Sequence, residues 1–214
     1  MSDERVHLES ATSFVELQLR GTRLQHAFGP LGGPPRVRIE APVEPARLAD
    51  RVRKLERKGY RVGFHHAELE AAIVADPGDP ARRLVFADWL LERRDPRGEL
   101  ITRMAAGVGI EEHLAAFPLH LAPPWMAALE LEWHLGFVRT LAFREHFDVS
   151  LLSRIFRHPS FMVLEELALC DLQWVRAPAL RQVLQHRPSS LGRIDARGIP
   201  ALAELAREIP GFLA

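Results

Sequence analysis

The stretch from 75 to 101, ADPGDPARRLVFADWLLERRDPRGELI, concentrates the carboxylates and guanidinium groups that could carry out chemistry. Asp88 and Glu99 are the two carboxylates here that could form an acid–base pair, and catalysis would also need a nucleophile, metal ligands or a phosphate loop nearby. None of these is present in the sequence pattern, and no serine lies in a G-x-S-x-G frame. We therefore expect a structural role for Asp88, paired with an arginine or a backbone N–H, and we predict no catalytic residues.

The histidines next to this stretch raise the question of a metal site. His66 and Glu70 are one helical turn apart and His65 adjoins them, but no third ligand has a recognisable spacing. Cys170 is the single cysteine, so the chain has neither a CxxC pair nor an internal disulfide. We expect no metal and no cofactor.

Two Asp-Pro pairs mark the helices that would position these side chains. Asp79-Pro80 and Asp95-Pro96 each place a capping carboxylate before a proline at the first helical position. The pattern predicts that residues 66 to 106 are helical except at the Asp-Pro turns, with Trp89 packed in the core. The predicted apolar face consists of Leu84, Val85, Ala87, Trp89, Leu90 and Leu91.

Composition limits the class of protein. The chain has 214 residues, 47% of them apolar, which is enough to bury a core. It has no apolar run of about 18 residues and begins with a polar, charged segment, so we expect a cytoplasmic protein without a membrane partner. The net charge is zero, which gives no whole-protein indication of nucleic-acid binding.

The segments before and after the helices have different periods. Residues 12 to 40 contain short apolar runs broken by glycine and proline, which predict a small antiparallel sheet. Residues 44 to 59 have Leu48, Val52 and Leu55 on one helical face and end at Gly59. Residues 107 to 136 form a connector in which PPWMAALELEW, residues 123 to 133, predicts a helix because Trp125, Leu129 and Trp133 are four residues apart.

Residues 137 to 214 contain an internal repeat. Three LxxLxL-like frames are centred on Leu141, Leu167 and Ile194, which are 26 and 27 residues apart. Each frame is followed by a helical stretch that stops at a proline, namely Pro159, Pro188 and Pro210. This spacing is typical of leucine-rich repeats, and an ordinary α/β domain with coincidental spacing is the alternative.

The helical stretch from 68 to 103 resembles the bacterial repeat-companion domain. That family has an acidic helix, a D-x-x-D turn, an R-L-V-x-A-D-W-L-x-E-R run and a D-P-R-G-E segment, and its members commonly adjoin leucine-rich repeats. The resemblance implies no enzymatic activity. Its signature positions fall here on Ala87, Asp88, Trp89, Leu90, Glu92, Arg93, Asp95, Pro96, Gly98 and Glu99.

The N-terminal segment is similar to the WGR domain, in which strands and a Trp-Gly-Arg turn precede a helix that closes on Lys-Gly-Tyr. Here LERKGY ends at Tyr60, and Phe28-Gly29-Pro30 stands where that family has Trp-Gly-Arg. The resemblance implies a module that helps to hold nucleic acid in some proteins. Loss of the arginine removes the forked donor best suited to a phosphate.

These patterns predict an α+β protein of three units. Residues 1–63 form a WGR-like sheet and helix, 64–136 a helical module and connector, and 137–214 leucine-rich-repeat-like β/α units. We expect a non-catalytic adaptor that binds an unknown protein partner on the open face of the repeat strands. The predicted partner-binding residues are Thr140, Arg144, Glu166, Arg193, Asp195 and Arg197.

Nucleic-acid binding through the N-terminal unit is the alternative function. Arg47, Arg51, Lys54 and Lys58 fall at i, i+4, i+7 and i+11 and would form one basic stripe on the helix from 44 to 59. Three acidic residues, Glu44, Asp50 and Glu56, dilute this charge. The expected binding is weak, independent of sequence and steeply reduced by salt.

Overall fold

The computed structural model describes residues 3–44, 46–143, 148–169 and 177–195. Helices and two sheets alternate along the chain, which confirms the predicted α+β class. Within the described ranges, none of the helices has the length and apolar content that crossing a membrane requires.

The N-terminal unit is an antiparallel sheet covered by one helix. Its sheet order is β4-β3-β2-β1-β5. Val15, Leu17 and Leu19 alternate with more exposed residues along β2 and pack, with Leu48 and Val52 of α1, in one apolar cluster. Gly59, at φ +90°, follows the helix as predicted. The elements are β1 (Asp3–Glu9), β2 (Ser13–Arg20), β3 (Arg23–Pro30), β4 (Arg36–Glu40), α1 (Ala46–Arg57) and β5 (Arg61–Val62).

Four helices form the middle unit. They are α2 (Ala67–Ala75), α3 (Pro80–Glu92), α4 (Pro96–Ala105) and α5 (Glu111–Ala116). Asp79 and Asp95 cap α3 and α4 with their carboxylates, and a proline occupies the first turn of each helix, as the Asp-Pro pairs predicted.

The predicted apolar face of α3 is partly wrong. Leu84, Val85 and Leu91 are 38%, 56% and 42% exposed, whereas Phe86 and Leu90 are fully buried. Phe86 was missing from the prediction. The buried side of the helix contains Phe86 together with Arg83 and Leu90, three residues before it and four after it. The core of this unit consists of Ile73, Phe86, Ala87, Leu90, Ile101, Phe137 and Val163.

The connector contains a strand where the sequence predicted a helix. Of the predicted helix, residues 123 to 133, only Pro124–Ala128 is helical, as a 3₁₀ turn, and β6 (Leu129–His134) follows it. A spacing of four residues fits a strand as well as a helix, because residues i, i+2 and i+4 also share one face of a strand. The alternation of Leu129 and Leu131 with exposed Glu130 and Glu132 favours the strand.

The C-terminal unit is a sheet in the order β6-β7-β8-β9. Its remaining elements are β7 (Phe137–Phe143), α6 (Val149–Arg157), β8 (Glu166–Ala168), α7 (Ala177–Leu184) and β9 (Arg193–Asp195). β7, β8 and β9 are parallel, and the pairing aligns Leu141 with Leu167 and Leu167 with Ile194. The three repeat centres are therefore neighbours in the sheet. Pro210, the third predicted helix stop, lies outside the described residues.

The predicted boundaries at 63/64 and 136/137 fall at packed contacts. Phe137 begins β7 but its ring packs against Phe86 in the helical core. Gly136 has φ +81°, and a Cβ there would lie 2.2 Å from Ile101 Cγ1, so only glycine allows this approach. Arg83 is buried and donates to the His134 carbonyl over 2.8 Å. The helical unit and the C-terminal sheet thus share an interior.

Candidate functional site

The most buried charged group of the predicted signature is Asp95, which joins the helical unit to the N-terminal sheet. Its side chain is 0% exposed, and that of Arg97 is 2% exposed. Arg97 donates from Nε to Asp95 Oδ1 over 3.0 Å and from Nη2 to Oδ2 over 2.7 Å. The backbone N–H of Phe64, just after β5, donates to the same Oδ2 over 3.0 Å. One carboxylate therefore caps α4 and anchors the chain that leaves the sheet.

Asp95, Arg97 and the Phe64 backbone form one hydrogen-bonded cluster, which we call the hub. Arg97 Nη2 also donates to the Phe64 carbonyl over 2.5 Å. Gly63 has φ +87°, and a Cβ there would lie 2.5 Å from Arg97 Nη2, so a side chain would displace the guanidinium. His120, in the connector, is buried with Nε2 3.1 Å from Asp95 Oδ1, off the direction of a well-formed hydrogen bond.

Electrostatics keep Asp95 ionised. Burial alone would raise the pKa of this carboxyl. The charges of Arg97 and His120, with the Arg97 hydrogen bonds, outweigh burial and hold the pKa well below its usual range. For His158, burial disfavours the charged form. The nearby charges of His120, Arg97 and Arg154 add a smaller effect in the same direction, and the pKa of His158 lies well below the ordinary histidine value. His158 is therefore neutral, and its Nδ1 accepts from Ser160 N over 3.3 Å.

Trp89 lies half-buried at the edge of the helical core rather than in its interior. The Arg93 guanidinium covers its ring at 4.0 Å, and His66 meets it edge-on at 5.1 Å. Phe86 stacks on it from the core side. This arrangement makes the two signature residues Trp89 and Arg93 partners in a cation–π contact.

Asp88, Glu92 and Glu99 face solvent. Across the described parts of the chain, no ion pair or hydrogen bond includes the Asp88 carboxylate, so the prediction that it is paired was wrong. Glu92 lies 3.4 Å from Arg93, and Glu99 accepts from Arg103 over 2.8 Å. The structural role expected of Asp88 belongs to Asp95.

Gly98 and Pro96 hold α4 close to its neighbours. A Cβ on Gly98 would lie 2.8 Å from the Ala87 carbonyl oxygen and 2.9 Å from Leu91 N, so the helices touch backbone to backbone. His113 Nε2 lies 2.8 Å from the Pro96 carbonyl oxygen. Together with Asp95, Pro96 and Gly98 pack α4 against α3 and α5.

His65 and His66 contact different partners and do not face a common site. His65 Nδ1 lies 2.7 Å from Glu70 Oε1, whereas His66 caps α2 by accepting from Leu69 N over 3.5 Å. Burial lowers the pKa of His65, and the hydrogen bond to Glu70 offsets this only in part. Among the residues with a described position, no three His, Cys, Asp or Glu side chains are grouped as metal ligands.

The predicted partner-binding face is one side of the C-terminal sheet. The register aligns Thr140 with Glu166 and Glu166 with Arg193, and Asp195 lies next to Ala168 on the following row. All are half-exposed or exposed, and Arg193 lies 3.5 Å from Glu166. Arg144 and Arg197 lie outside the described residues.

β6 adds two acidic residues to this face that the sequence did not assign to it. Its pairing aligns Glu130 with Ala142 and Glu132 with Thr140, which puts both glutamates on the open side. The alternation in LELEWH was the signal that could have found them. We call this side the open face, and its described members are Glu130, Glu132, Thr140, Ala142, Glu166, Ala168, Arg193 and Asp195. Its described charges are four acidic residues and one arginine.

The predicted basic stripe is only partly assembled. Arg51 donates to both oxygens of Glu40, over 3.0 and 3.1 Å, and is thereby neutralised. Arg51, Lys54 and Lys58 surround a shallow depression between α1 and the sheet, whereas Arg47 is exposed and does not line it. Lys54 also reaches a second cavity, between α1 and α6.

Comparison of the chain with protein-family models, with curated proteins and with solved structures found no match in any of the three. The repeat-companion, WGR-like and leucine-rich-repeat-like interpretations therefore stay predictions.

Replacing Asp95 with asparagine should destabilise the protein strongly. The variant leaves the Arg97 guanidinium buried without its counter-charge, and breaking a buried pair in this way costs about 3–5 kcal/mol. Chemical denaturation of Asp95→Asn measures the loss. Asp88→Asn is the matched control, because Asp88 is exposed and its replacement should change stability by roughly 0.5 kcal/mol or less. Equal midpoints for the two variants would show that the Asp95–Arg97 pair does not stabilise the protein as proposed.

Stability should fall with acidification in two pH windows. The folded-state pKa of His158 is depressed, so its contribution is complete above the unfolded value of about 6.5 and declines as pH falls below it. The folded-state pKa of Asp95 is depressed too, so its contribution is present above about 3.9 and is lost as pH falls through the folded value. Denaturation at a series of pH values should show a shallower slope below pH ~6.5 for His158→Gln and below pH ~4 for Asp95→Asn. Slopes equal to those of the wild type would refute both assignments.

Proposed function

We propose that the protein is a non-catalytic interaction module whose protein partner docks on the open face. One observation supports this most directly. The opposite side of the same sheet packs against α6 and α7 through Leu152, Ile155, Leu180 and Leu184, whereas the described residues of the open face are half-exposed or exposed. A sheet side with no covering helix among the described elements is available for a partner.

The chemistry of the open face selects the partner. Ala142 and Ala168 form a lane of small residues across neighbouring parallel strands. Acidic side chains border this lane, and Arg193 is the one described cation. A partner segment with lysine or arginine side chains fits this distribution, because complementary charge favours encounter and discriminates against acidic surfaces.

The helical unit acts in this proposal as the support at one end of the sheet. Stacked β/α units need a cap that covers the exposed end of their core. Phe137 and Val163 extend the helical core into the C-terminal unit, which is the contact that such a cap would make. The proposal includes a cytoplasmic location and needs no cofactor.

Nucleic-acid binding through α1 is the less supported alternative. Glu40 neutralises Arg51, and Arg47 does not line the depression that Lys54 and Lys58 share. An interaction of this kind would rest on phosphate contacts and would weaken steeply with salt.

Charge reversal on the open face should abolish partner binding without loss of fold. Glu132→Lys with Glu166→Lys reverses two acidic side chains that are at least half-exposed. Pull-downs from the native lysate, with bound proteins identified by mass spectrometry, should show partners for the wild type and none for this variant.

The matched control is Glu68→Lys with Glu112→Lys, which makes the same charge change on exposed residues of α2 and α5. It should keep the partners, and all three proteins should keep similar melting temperatures. Identical partners in every sample, or no partner with the wild type, would overturn the proposed function.

A further inference from the structure

A strongly basic cleft of about 500 Å³ lies between α1 and α6, next to β5. Six of its lining residues are cationic and two are acidic, an excess of four positive charges in a chain whose net charge is zero. We call this cavity the basic cleft. Its charged lining residues are Asp50, Arg53, Lys54, Glu56, Arg57, Arg61, Arg154 and Arg157.

Half of these cations have no carboxylate partner in the described structure. Arg53 pairs with Asp50, Arg154 lies 3.1 Å from Glu56, and Arg61 lies 3.6 Å from Glu70. In the described ranges, by contrast, no ion pair includes the remaining three cations, which are Lys54, Arg57 and Arg157. No carboxylate among the described residues compensates their charges.

The close spacing of these cations has an energetic cost. Lys54 and Arg57 are three residues apart on α1, and Arg154 and Arg157 are three residues apart on α6. Like charges at this spacing repel each other, although cations in the last turn of a helix interact favourably with its dipole. An anion between the two helices would meet cations from both walls and remove the repulsion.

We propose that the basic cleft binds the polyphosphate group of a small molecule, either inorganic pyrophosphate or a nucleoside diphosphate. Linked phosphates present several negative charges over a short distance, which matches an excess of four positive charges in one cavity. Arginine binds phosphate through paired N–H groups, and five of the six cations are arginines, four of them in the C-terminal halves of α1 and α6. The volume falls within the range of small-molecule sites.

Arg154 is held in position for this role. Its guanidinium lies 5.2 Å from the centre of the Trp125 ring and donates to Glu56 over 3.1 Å. Trp125 is in turn packed near Phe161 and His158. An orientation fixed before binding reduces the side-chain entropy that the ligand must overcome.

A smaller cavity of about 240 Å³ adjoins the basic cleft and distinguishes the two sources of the polyphosphate. It shares Arg53, Glu56 and Arg154 with the cleft, and its other walls are mostly apolar, including Leu119 and Trp125. The nucleoside part of a nucleotide fits such a space, whereas pyrophosphate would fill the basic cleft alone.

The basic cleft shares no lining residue with the open face, so the two sites are tested separately. Its two walls join segments 98 residues apart in the chain, and the site exists only in the folded protein.

Isothermal titration of the 214-residue chain with pyrophosphate and with ADP tests this proposal. We expect saturable binding of at least one of them, weakened as salt is raised. If ADP binds more than tenfold more tightly than pyrophosphate, the ligand is a nucleotide whose nucleoside uses the adjoining cavity. If the two affinities are equal, only the polyphosphate is recognised, and inorganic pyrophosphate is the simplest ligand.

Lys54→Gln with Arg157→Gln removes one unpaired cation from each wall and should weaken binding at least tenfold. Because both side chains are exposed, the variant should fold, and its melting temperature without ligand should equal or exceed that of the wild type. Arg38→Gln with Arg47→Gln makes the same charge change outside the cleft and should bind as the wild type does.

Three results would overturn the proposal. The first is the absence of saturable binding of pyrophosphate and ADP at millimolar concentration. The second is an equal loss of affinity in the cleft variant and in the control variant, which would indicate a nonspecific effect of net charge. The third is a single-stranded oligonucleotide that binds the cleft more tightly than either small molecule, which would identify a nucleic-acid backbone as the ligand.

Discussion

The buried ion pair between Asp95 and Arg97 is the interaction on which the arrangement of the three units depends. Removing two charges from water is costly, and attraction between them offsets that cost only when the geometry is good and the other polar atoms are satisfied. Here the carboxylate accepts from Arg97 and from the Phe64 amide, and the guanidinium donates back to the Phe64 carbonyl, whereas Arg97 Nη1 is buried without a hydrogen-bond partner among the described residues. The pair is therefore stable only when the chain leaving β5 is correctly docked on α4.

The connector carries the effect of this pair to the C-terminal unit. His120 contacts Asp95, and Leu119 beside it packs against the core of the N-terminal sheet. A few residues further on, Trp125 contacts His158 and Phe161 of the C-terminal unit. The same chain segment thus touches all three units, and it sets the position of α6 opposite α1. The basic cleft between those helices is a consequence of that packing.

Features decided locally or by the repeat spacing were predictable from the sequence, whereas contacts between distant segments outside the repeat were not. The Asp-Pro pairs predicted the starts of α3 and α4, because capping is decided within a few residues. The same pattern describes an exposed cap and a buried one, so the burial of Asp95 could not be predicted without Phe64 and His120. The repeat spacing predicted which strand positions align, because each β/α unit adds nearly the same number of residues.

The errors have similar causes. Apolar residues four positions apart fit both a helix and a strand. Only the alternation of glutamate and leucine in β6 distinguishes the two. Asp88 was expected to pair with an arginine or a backbone N–H, yet it lies on the exposed side of α3. The basic stripe was predicted from α1 alone, whereas two of the six cations of the basic cleft, Arg154 and Arg157, lie about 100 residues further along the chain.

The buried pair of Asp95 and Arg97 should make the three units a single cooperative structure. Native-state hydrogen exchange tests this directly by comparing the Phe64 amide, which donates to Asp95, with the Leu17 amide in β2 and the Leu141 amide in β7. Opening free energies that agree within about 1 kcal/mol for all three amides are the predicted result, because sub-global openings would otherwise appear as separate, lower values. Exchange of Phe64 by local fluctuation, with Leu17 and Leu141 opening at clearly different free energies, would contradict the claim.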